Sequence, residues 1–232
     1  MKLLVGTSGY SYKEWVGNFY PPRLPANRML GFYGERFRTV EINNTFYRMP
    51  QEGVLERWAG DVPAEFRFAI KAPKRITHDR KLRQVEAETE RLLRVSATLG
   101  AKLGPFLFQL PPSFRKEVSV LRDFLALLGP ARAAFEFRHD SWHDDEVRET
   151  LRSHGAALCL ADTEDGEPEQ VATASWGYLR LRRPDYGDPE LAAWAARVRS
   201  QPWETAFVFF KHEDEGKGPG LAARFIELAG SV

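Results

Sequence analysis

The chain has 232 residues, 43% of them hydrophobic and 28% charged, which is the composition of an ordinary globular protein. Lysine and arginine total 33 and aspartate and glutamate 32, and the resulting net charge of +1 argues against a dedicated duplex-binding protein, which needs a strong basic excess. The single cysteine excludes an internal disulfide, and no apolar segment is long enough for a signal peptide or a membrane span, so we expect a cytoplasmic protein.

Short apolar or alternating segments recur along the whole chain and predict β-strands. In chain order they are Leu3–Gly6, Thr39–Thr45, Arg67–Ala72, Phe106–Leu110, Ala133–Arg138, Ala156–Asp162, Gly177–Arg182 and Ala206–Lys211. Helical periodicity between them predicts helices over Ala26–Phe37, Val85–Leu99, Val118–Leu128, Asp144–His154, Pro168–Thr173, Pro189–Val198 and Leu221–Leu228.

Strands that alternate with helices indicate βαβ units and a parallel sheet with right-handed crossovers. The strand count predicts a single (β/α)₈ TIM barrel that occupies the whole chain, residues 1–232. An open doubly wound sheet is the alternative, but it normally has fewer strands and a glycine-rich phosphate turn after its first strand. Here Gly6-Thr-Ser-Gly9 leads into a long aromatic loop that begins at Tyr10, which favours the barrel.

Polar side chains stand at the carboxyl ends of the predicted strands, where barrels place their chemistry. The two-residue period of a strand puts Glu41 and Asn43 on one inward face and Glu136 and Arg138 on another. Other polar residues at or near strand ends are Lys71, Gln109, Asp162, Arg180, Arg182 and Lys211. Burying so many polar groups is costly unless they pair or face a wet cleft. We therefore expect a ligand cleft, with a closed salt-bridge network as the structural alternative.

The loops after the strands support a cleft. The first carries Tyr10, Tyr12 and Trp15, the third is basic and contains His78, and Trp142 follows the fifth strand. The last loop, 215–220, is glycine-rich and opens a helix, so its backbone N–H groups are candidates for holding a phosphate.

Metal and covalent chemistry are weaker interpretations. Glu41, Glu136, Asp162 and a histidine offer oxygen and imidazole donors, but no spaced ligand motif is present, so no metal is predicted and the cofactor is unknown. A desolvated Lys71 or Lys211 can form a Schiff base, although a lysine at the end of a barrel strand more often binds an anion.

Several blocks of the first 162 residues resemble the YecE-like family, a domain of unknown function, in the family's order. The blocks are Gly6–Tyr10 with Tyr12 and Trp15, Val40–Arg48, Phe68–Lys71, Ile76–His78, Lys102–Pro105, Gln109–Pro112, and Phe135–Arg138 with Ser141 and Trp142. The resemblance implies a TIM barrel and supplies no established activity. The chain departs from the family's usual Arg-x-His-Gly and asparagine positions at Arg182-Arg183 and Lys211-His212, which makes its mouth more cationic and suggests a more anionic ligand.

The leading hypothesis is an enzyme that acts on a small anionic substrate, such as a phosphorylated sugar or nucleotide. Its catalytic candidates are Glu41, Glu136 and Asp162, because paired carboxylates can serve as acid and base. The substrate-binding candidates are Tyr10, Tyr12, Trp15, Asn43, Lys71, His78, Gln109, Arg138, Trp142, Arg180 and Lys211. A module that binds single-stranded nucleic acid and a non-catalytic barrel with an assembly role are the alternatives. If Glu41 and Glu136 are catalytic, their glutamine variants should leave the melting temperature unchanged or raised, whereas a closed network predicts a large loss.

Overall fold

The computed structural model describes residues 1–163, 168 and 170–230. Its centre is a parallel sheet of eight strands in the order β1-β8-β7-β6-β5-β4-β3-β2. The strands are β1 (Lys2–Thr7), β2 (Thr39–Ile42), β3 (Arg67–Lys71), β4 (Leu103–Gln109), β5 (Ala133–Glu136), β6 (Ala157–Asp162), β7 (Trp176–Leu181) and β8 (Thr205–Phe210). The sheet curls into a nearly closed barrel, which confirms the predicted fold.

Helices cover the outside of the barrel. Within the described residues they are α1 (Met29–Gly34), α2 (Glu52–Asp61), α3 (Glu86–Ser96), α4 (Val118–Leu128), α5 (Asp145–Ser153), α6 (Asp188–Arg199) and α7 (Lys217–Leu228). The helix predicted over Pro168–Thr173 includes residue 169, which lies outside the described part, and residues 168 and 170–173 are not helical. Of the described helices, none is long and apolar enough to cross a membrane.

Two helices differ from the sequence-based expectation. The pattern predicts no helix between β2 and β3, yet α2 is present there, and only one of its residues, Leu55, is buried. Its periodic signal is weak for this reason, and Gly53 and Gly60 lower its intrinsic propensity. The last helix begins at Lys217 rather than Leu221, so it absorbs most of the glycine-rich loop.

The barrel interior is stratified along its axis. Inward residues of the amino-terminal half are apolar and include Leu4, Leu107, Trp176 and Phe207, which pack in one buried cluster. Toward the carboxyl ends of β2 and β7, the inward faces carry Glu41 and Arg180. A packed apolar floor therefore supports a charged layer at the carboxyl end, the end at which barrel enzymes bind their ligands.

A tyrosine from α1 closes the barrel between β1 and β2. These two strands share only an isolated bridge, with the Gly9 amide donating to the Glu41 carbonyl at 2.8 Å. Deeper in the seam, the Tyr33 hydroxyl accepts from the Thr7 amide at 2.8 Å and donates to the Thr39 carbonyl at 3.0 Å. The hydroxyl thus replaces a missing ladder bond, because it satisfies one buried donor and one buried acceptor.

Replacing Tyr33 by phenylalanine should lower the free energy of unfolding by about 1–3 kcal/mol, because the Thr7 amide and the Thr39 carbonyl lose a buried partner. Urea unfolding measures the loss. Tyr47→Phe is the matched control, since that ring is 84% exposed, and its effect should stay within about 0.5 kcal/mol. Equal effects of the two substitutions would show that the Tyr33 hydroxyl does not close the seam.

Candidate functional site

Arg180 spans the interior of the barrel and holds two glutamates. Its side chain is 1% exposed, its Nη2 donates to Glu41 Oε1 at 2.9 Å and its Nη1 donates to Glu136 Oε2 at 2.6 Å. Glu41 lies on β2, Glu136 on β5 and Arg180 on β7, with other strands between each pair. One guanidinium therefore links three non-adjacent strands across the barrel.

Glu41 accepts further hydrogen bonds on both carboxylate oxygens. Its Oε1 accepts from Ser8 Oγ at 2.7 Å and from Asn43 Nδ2 at 3.0 Å, and its Oε2 accepts from Tyr178 Oη at 2.6 Å. Burial alone would raise the pKa of Glu41, but the charge of Arg180 and these hydrogen bonds outweigh it and hold the pKa below the ordinary value. The carboxylate stays ionised, and it accepts four hydrogen bonds in total from the described residues, three of them on Oε1.

Glu136 is enclosed by arginines. Besides Arg180, its Oε1 accepts from Gln109 Nε2 at 2.8 Å, from Arg138 Nε at 3.1 Å and from Arg182 Nη1 at 3.4 Å. Burial raises the pKa of Glu136, yet the charges of Arg180, Arg138 and Arg182 outweigh this effect and lower the pKa to about 2.

This geometry matches the salt-bridge alternative for the two glutamates. A general acid or base for neutral pH needs a pKa close to the working pH, whereas Glu41 and Glu136 are both shifted in the opposite direction. Their hydrogen-bonding capacity is also committed to neighbouring side chains. The arrangement argues against proton transfer by either carboxylate and assigns them the task of fixing Arg180.

Asp162 does not join this cluster, which corrects the expectation that it shares a site with the glutamates. Its neighbour Cys159 belongs to the interior cluster while Leu160 packs in the outer core, so the two-residue period turns Asp162 toward the helices. There its Oδ2 accepts from Tyr186 Oη at 2.8 Å and Trp194 Nε1 at 3.1 Å. Asp162 thus anchors α6, and no group of three or more metal-ligating side chains occurs among the described residues.

Four further cations surround Arg180 and its two glutamates at the mouth. Arg138 and Arg182 bond to Glu136, Lys211 follows β8, and Lys71 ends β3. Burial and the charge of Arg180 lower the pKa of Lys71 to about 8, although Glu41 and Glu136 act in the opposite direction. Burial and the charges of Arg182 and Arg180 likewise lower the pKa of Lys211, although Glu213 on the rim opposes them.

Two buried guanidinium N–H groups of this cluster lack acceptors. Among the described residues, neither Arg180 Nε nor Arg182 Nε has a hydrogen-bond partner. Arginine does not lose its proton at any ordinary pH, so these buried donors stay charged and unmatched. Among the described residues, the carboxylates that bond to or face Lys71, Arg138, Arg180, Arg182 and Lys211 are those of Glu41 and Glu136, together with Glu213 beside Lys211. The described part of the mouth therefore has an excess of positive charge.

The predicted aromatic lid is only partly available to a ligand. Trp15 is fully buried and its Nε1 donates to the Glu213 carbonyl at 3.0 Å, so its ring belongs to the core. Trp142 is also buried, stacked on Phe137 at 4.7 Å between ring centroids. Tyr10 packs against Trp58 on the α2 side. Only the half-buried Tyr12 stays beside Glu41, where its hydroxyl donates to the Ser8 carbonyl at 2.7 Å.

Several residues of the site follow from their strand position, and others do not. Tyr178 shares the inward face of β7 with Arg180, and Ser8 follows β1 in phase with the inward Leu4, so the two-residue period could have found both. Phe46 gave no signal. It lies in a short 3₁₀ turn after β2, where its ring centroid is 4.4 Å from Lys71 Nζ and 4.9 Å from the His78 ring. Burial and the charge of Lys71 lower the pKa of His78, so this imidazole is neutral at pH 7.

Backbone geometry and packing account for Gly216 and Gly218 of the last loop, whereas a Cβ on Gly220 would meet nothing within 4 Å. A Cβ on Gly218 would lie 2.7 Å from the His212 carbonyl oxygen and 3.4 Å from the side chains of Thr7 and Trp15. Gly216 adopts a left-handed conformation with φ of 78° as the residue before α7. The close approach of the chain explains these residues without a bound phosphate, and the predicted phosphate-binding role of this loop stays a prediction.

Comparison with known proteins places the chain in a family. It belongs to the family described as "Protein of unknown function DUF72", which matches residues 4–232. The UPF0759 protein YecE of Escherichia coli strain K12 is 31% identical over 155 residues, 66% of this chain and 54% of YecE. The UPF0759 protein YunF of Bacillus subtilis strain 168 is 30% identical over 149 residues, 60% of this chain and 52% of YunF. The chain therefore spans about half the length of these curated relatives.

A solved structure supports the architecture. The crystal structure of a DUF72 family protein from Thermotoga maritima MSB8 is 27% identical and superposes with a TM-score of 0.88, covering 98% of this chain and 99% of that chain. The sequence resemblance to the YecE-like family is confirmed, and none of these names assigns an activity.

Glu136→Gln should lower the free energy of unfolding at pH 7 by about 3–5 kcal/mol, because it removes the carboxylate that Arg138 and Arg182 bond and leaves the buried Arg180 with Glu41 alone. The folded-state pKa of Glu136 is depressed from 4.5 to about 2, so its stabilisation is complete above pH 4.5 and is lost as the pH falls toward 2. Between pH 4.5 and pH 2, the free energy of unfolding of the wild-type protein should thus fall by on the order of 3 kcal/mol more than that of the variant.

Chemical denaturation at several pH values measures both effects. Glu52→Gln serves as control, because Glu52 pairs with Arg94 on the surface and each side chain is more than half exposed; its cost should be below about 1 kcal/mol. An unchanged or raised stability of Glu136→Gln would favour the catalytic interpretation of this carboxylate over the structural one.

Proposed function

We propose that the carboxyl end of this barrel is an active site that binds a small anionic substrate, such as a phosphorylated or carboxylated metabolite. The observation that carries the proposal is the excess of positive charge around Arg180, with Arg180 Nε and Arg182 Nε both without an acceptor among the described residues. An anion supplies acceptors and charge together, and charge-assisted hydrogen bonds are the strong ones.

The excess is not needed to hold the barrel together. Arg180 already neutralises much of the charge of Glu41 and Glu136, and hydrogen bonds from uncharged side chains complete Glu41. Arg180 with Glu41 and Glu136 carries a net charge of −1, so cations beyond the first that joins them add repulsion. Burial and the charges of neighbouring arginines accordingly lower the pKa of Lys71 and Lys211. Such local cost is typical of sites that are shaped for a ligand.

The side chains divide into two groups by their role. Arg182, Lys211 and Arg138 are half-buried or exposed and are the candidates that contact the anion directly. Glu41 and Glu136 keep the buried Arg180 in place, and its guanidinium provides a fixed charge beneath the ligand. A fixed charge in a site of low polarity stabilises developing negative charge without reorganisation during the reaction.

A binding module for single-stranded nucleic acid is the second candidate. A cavity of about 940 Å³ lies beside the mouth and is lined by Tyr47, Arg48, Trp58 and Arg91, among others. Tyr47 is 84% exposed, and exposed aromatic rings next to arginines suit base stacking. The small-anion proposal is favoured because the chain as a whole is nearly neutral, with a net charge of +1.

Calorimetric titration with inorganic phosphate tests the proposal. Phosphate should bind, and Arg182→Gln or Lys211→Ala should weaken it by about tenfold or more, because each variant removes a charge-assisted contact. Arg94→Gln removes one positive charge from the outer helix α3, where Arg94 is 63% exposed, and should leave the affinity unchanged.

Two results would contradict the proposal. One is the absence of phosphate binding at millimolar concentration, and the other is an equal effect of Arg182→Gln and Arg94→Gln. Tight binding of an oligonucleotide that weakens steeply with salt, with no binding of phosphate, would instead support the nucleic-acid module.

A further inference from the structure

Lys71 differs from the arginines of the mouth in having no bonded partner among the described residues, and from Lys211 in lying over an aromatic ring. Arg138 and Arg182 both bond to Glu136. Within the described residues the ammonium of Lys71 makes neither an ion pair nor a hydrogen bond. It lies over the face of Phe46, with 4.4 Å between Nζ and the ring centroid. An amine on an aromatic ring beside the charged layer has its lone pair available once it is deprotonated.

The backbone around Lys71 is fixed, so the position of the amine is not accidental. Its carbonyl accepts from Thr45 Oγ1 at 2.6 Å, and that hydroxyl is also 3.0 Å from the Ile42 carbonyl. The short turn that holds Thr45 also holds Phe46. The same few residues after β2 therefore set both the end of β3 and the ring against which the lysine side chain rests.

The charges that face the amine come from several elements. Arg180 on β7 and Arg138 after β5 disfavour its protonation, while Glu41 on β2 and Glu136 on β5 favour it. Since both glutamates are already bonded to arginine, burial and repulsion prevail, and the pKa of Lys71 falls to about 8. About a tenth of the amine is then neutral at pH 7, far more than for an ordinary lysine of pKa about 10.4.

We propose that Lys71 is a nucleophile that forms a Schiff base with a small aldehyde or ketone carrying a phosphate or carboxylate group. The inference deepens the proposed function, because the cations around Arg180 would hold the anionic group while Lys71 reaches the carbonyl. A lysine that is desolvated and placed next to other cations is activated in this way.

The reaction is balanced without a redox partner or a metal. The neutral Nζ attacks the carbonyl carbon, a C–N bond forms, and the C–O π electrons move to oxygen, which takes up a proton. That proton is matched by the first one that nitrogen loses. Nitrogen then loses its second proton, and the oxygen takes up a proton and leaves as water. A C=N bond remains, so amine and carbonyl give imine and water.

His78 is placed to carry these protons. Its ring lies against the same Phe46 at 4.9 Å between centroids. Its Nδ1 lies 2.9 Å from Thr77 Oγ1, and burial together with the charges of Lys71 and Arg138 keeps the imidazole neutral by lowering its pKa. A neutral imidazole can accept the proton released by nitrogen and return it to the departing oxygen.

Reductive trapping with a matched pair of aldehydes tests the proposal. The full chain is incubated with glycolaldehyde phosphate or glycolaldehyde in the presence of cyanoborohydride, and each lysine is quantified by peptide mass spectrometry. Lys74, an exposed lysine paired with Asp79 in the adjacent loop, is the internal reference. We expect Lys71 to be labelled at least about tenfold faster than Lys74 at pH 7, because its neutral fraction is larger. The Lys71 rate should level off above pH 8, because its pKa is about 8.

Variants separate this inference from the proposed function. Lys71→Arg keeps the charge but not the nucleophile, so it should abolish trapping at this position. Arg182→Gln should remove the preference for the phosphorylated aldehyde and leave trapping of glycolaldehyde itself unchanged. His78→Gln should slow trapping without abolishing it.

The outcomes are distinct. Labelling of Lys71 no faster than of Lys74, with phosphate still bound, would overturn the Schiff-base inference and leave the anion site standing. Fast labelling of Lys71 by both aldehydes without preference would support the nucleophile and overturn the anion site. Slow labelling without phosphate binding would overturn both.

Discussion

A buried guanidinium between two buried carboxylates is the interaction on which the rest of the structure depends. Removing three charges from water is expensive, and the cost is met only when every charge is matched at hydrogen-bond distance. Arg180 satisfies this condition by reaching Glu41 on one side of the barrel and Glu136 on the other. Strands β2, β5 and β7 must therefore keep one relative register. The apolar layer packs inside the barrel beneath these charges.

The chemistry of the mouth follows from this matching. Because both interior carboxylates are committed to arginine, the remaining cations have little negative charge to meet. An anionic ligand can fill that deficit, and an amine left unpaired in such a field loses its proton more readily than usual. The pairing thus favours a supporting role for Glu41 and Glu136, and the proposed nucleophile is the neighbouring Lys71, whose pKa is lowered.

The periodicity of the strands predicted much of this arrangement. It identified the barrel, and it placed Glu41, Asn43, Glu136 and Arg138 on inward faces, because alternation within a strand is a local property. It did not predict which inward groups pair, since that depends on how strands far apart in sequence are staggered around the barrel. The sequence identified Lys71 at the end of β3 as a possible Schiff-base lysine. Its contact with Phe46 depends on a short turn that no sequence pattern predicts.

The errors have equally physical origins. Asp162 ends a strand like the other polar residues, yet it stands one residue out of phase with the interior and turns to Trp194. Trp15 and Trp142 follow strands, but short 3₁₀ turns fold both rings back into the core. Helix α2 buries a single residue and so carries too weak a pattern to be found. For Asp162, Trp15 and Trp142 the sequence position was assigned correctly and the direction of the side chain was not.

A double-mutant cycle between Arg180 and Glu136 tests the central claim most directly. The free energies of unfolding of Arg180→Met, Glu136→Gln and the double variant would be compared with that of the wild-type protein. The account predicts that the double variant loses less stability than the sum of the single variants by about 2 kcal/mol or more, because the partner left behind is no longer an unmatched buried charge. Additivity within about 0.5 kcal/mol would show that the two residues act independently and would contradict the account.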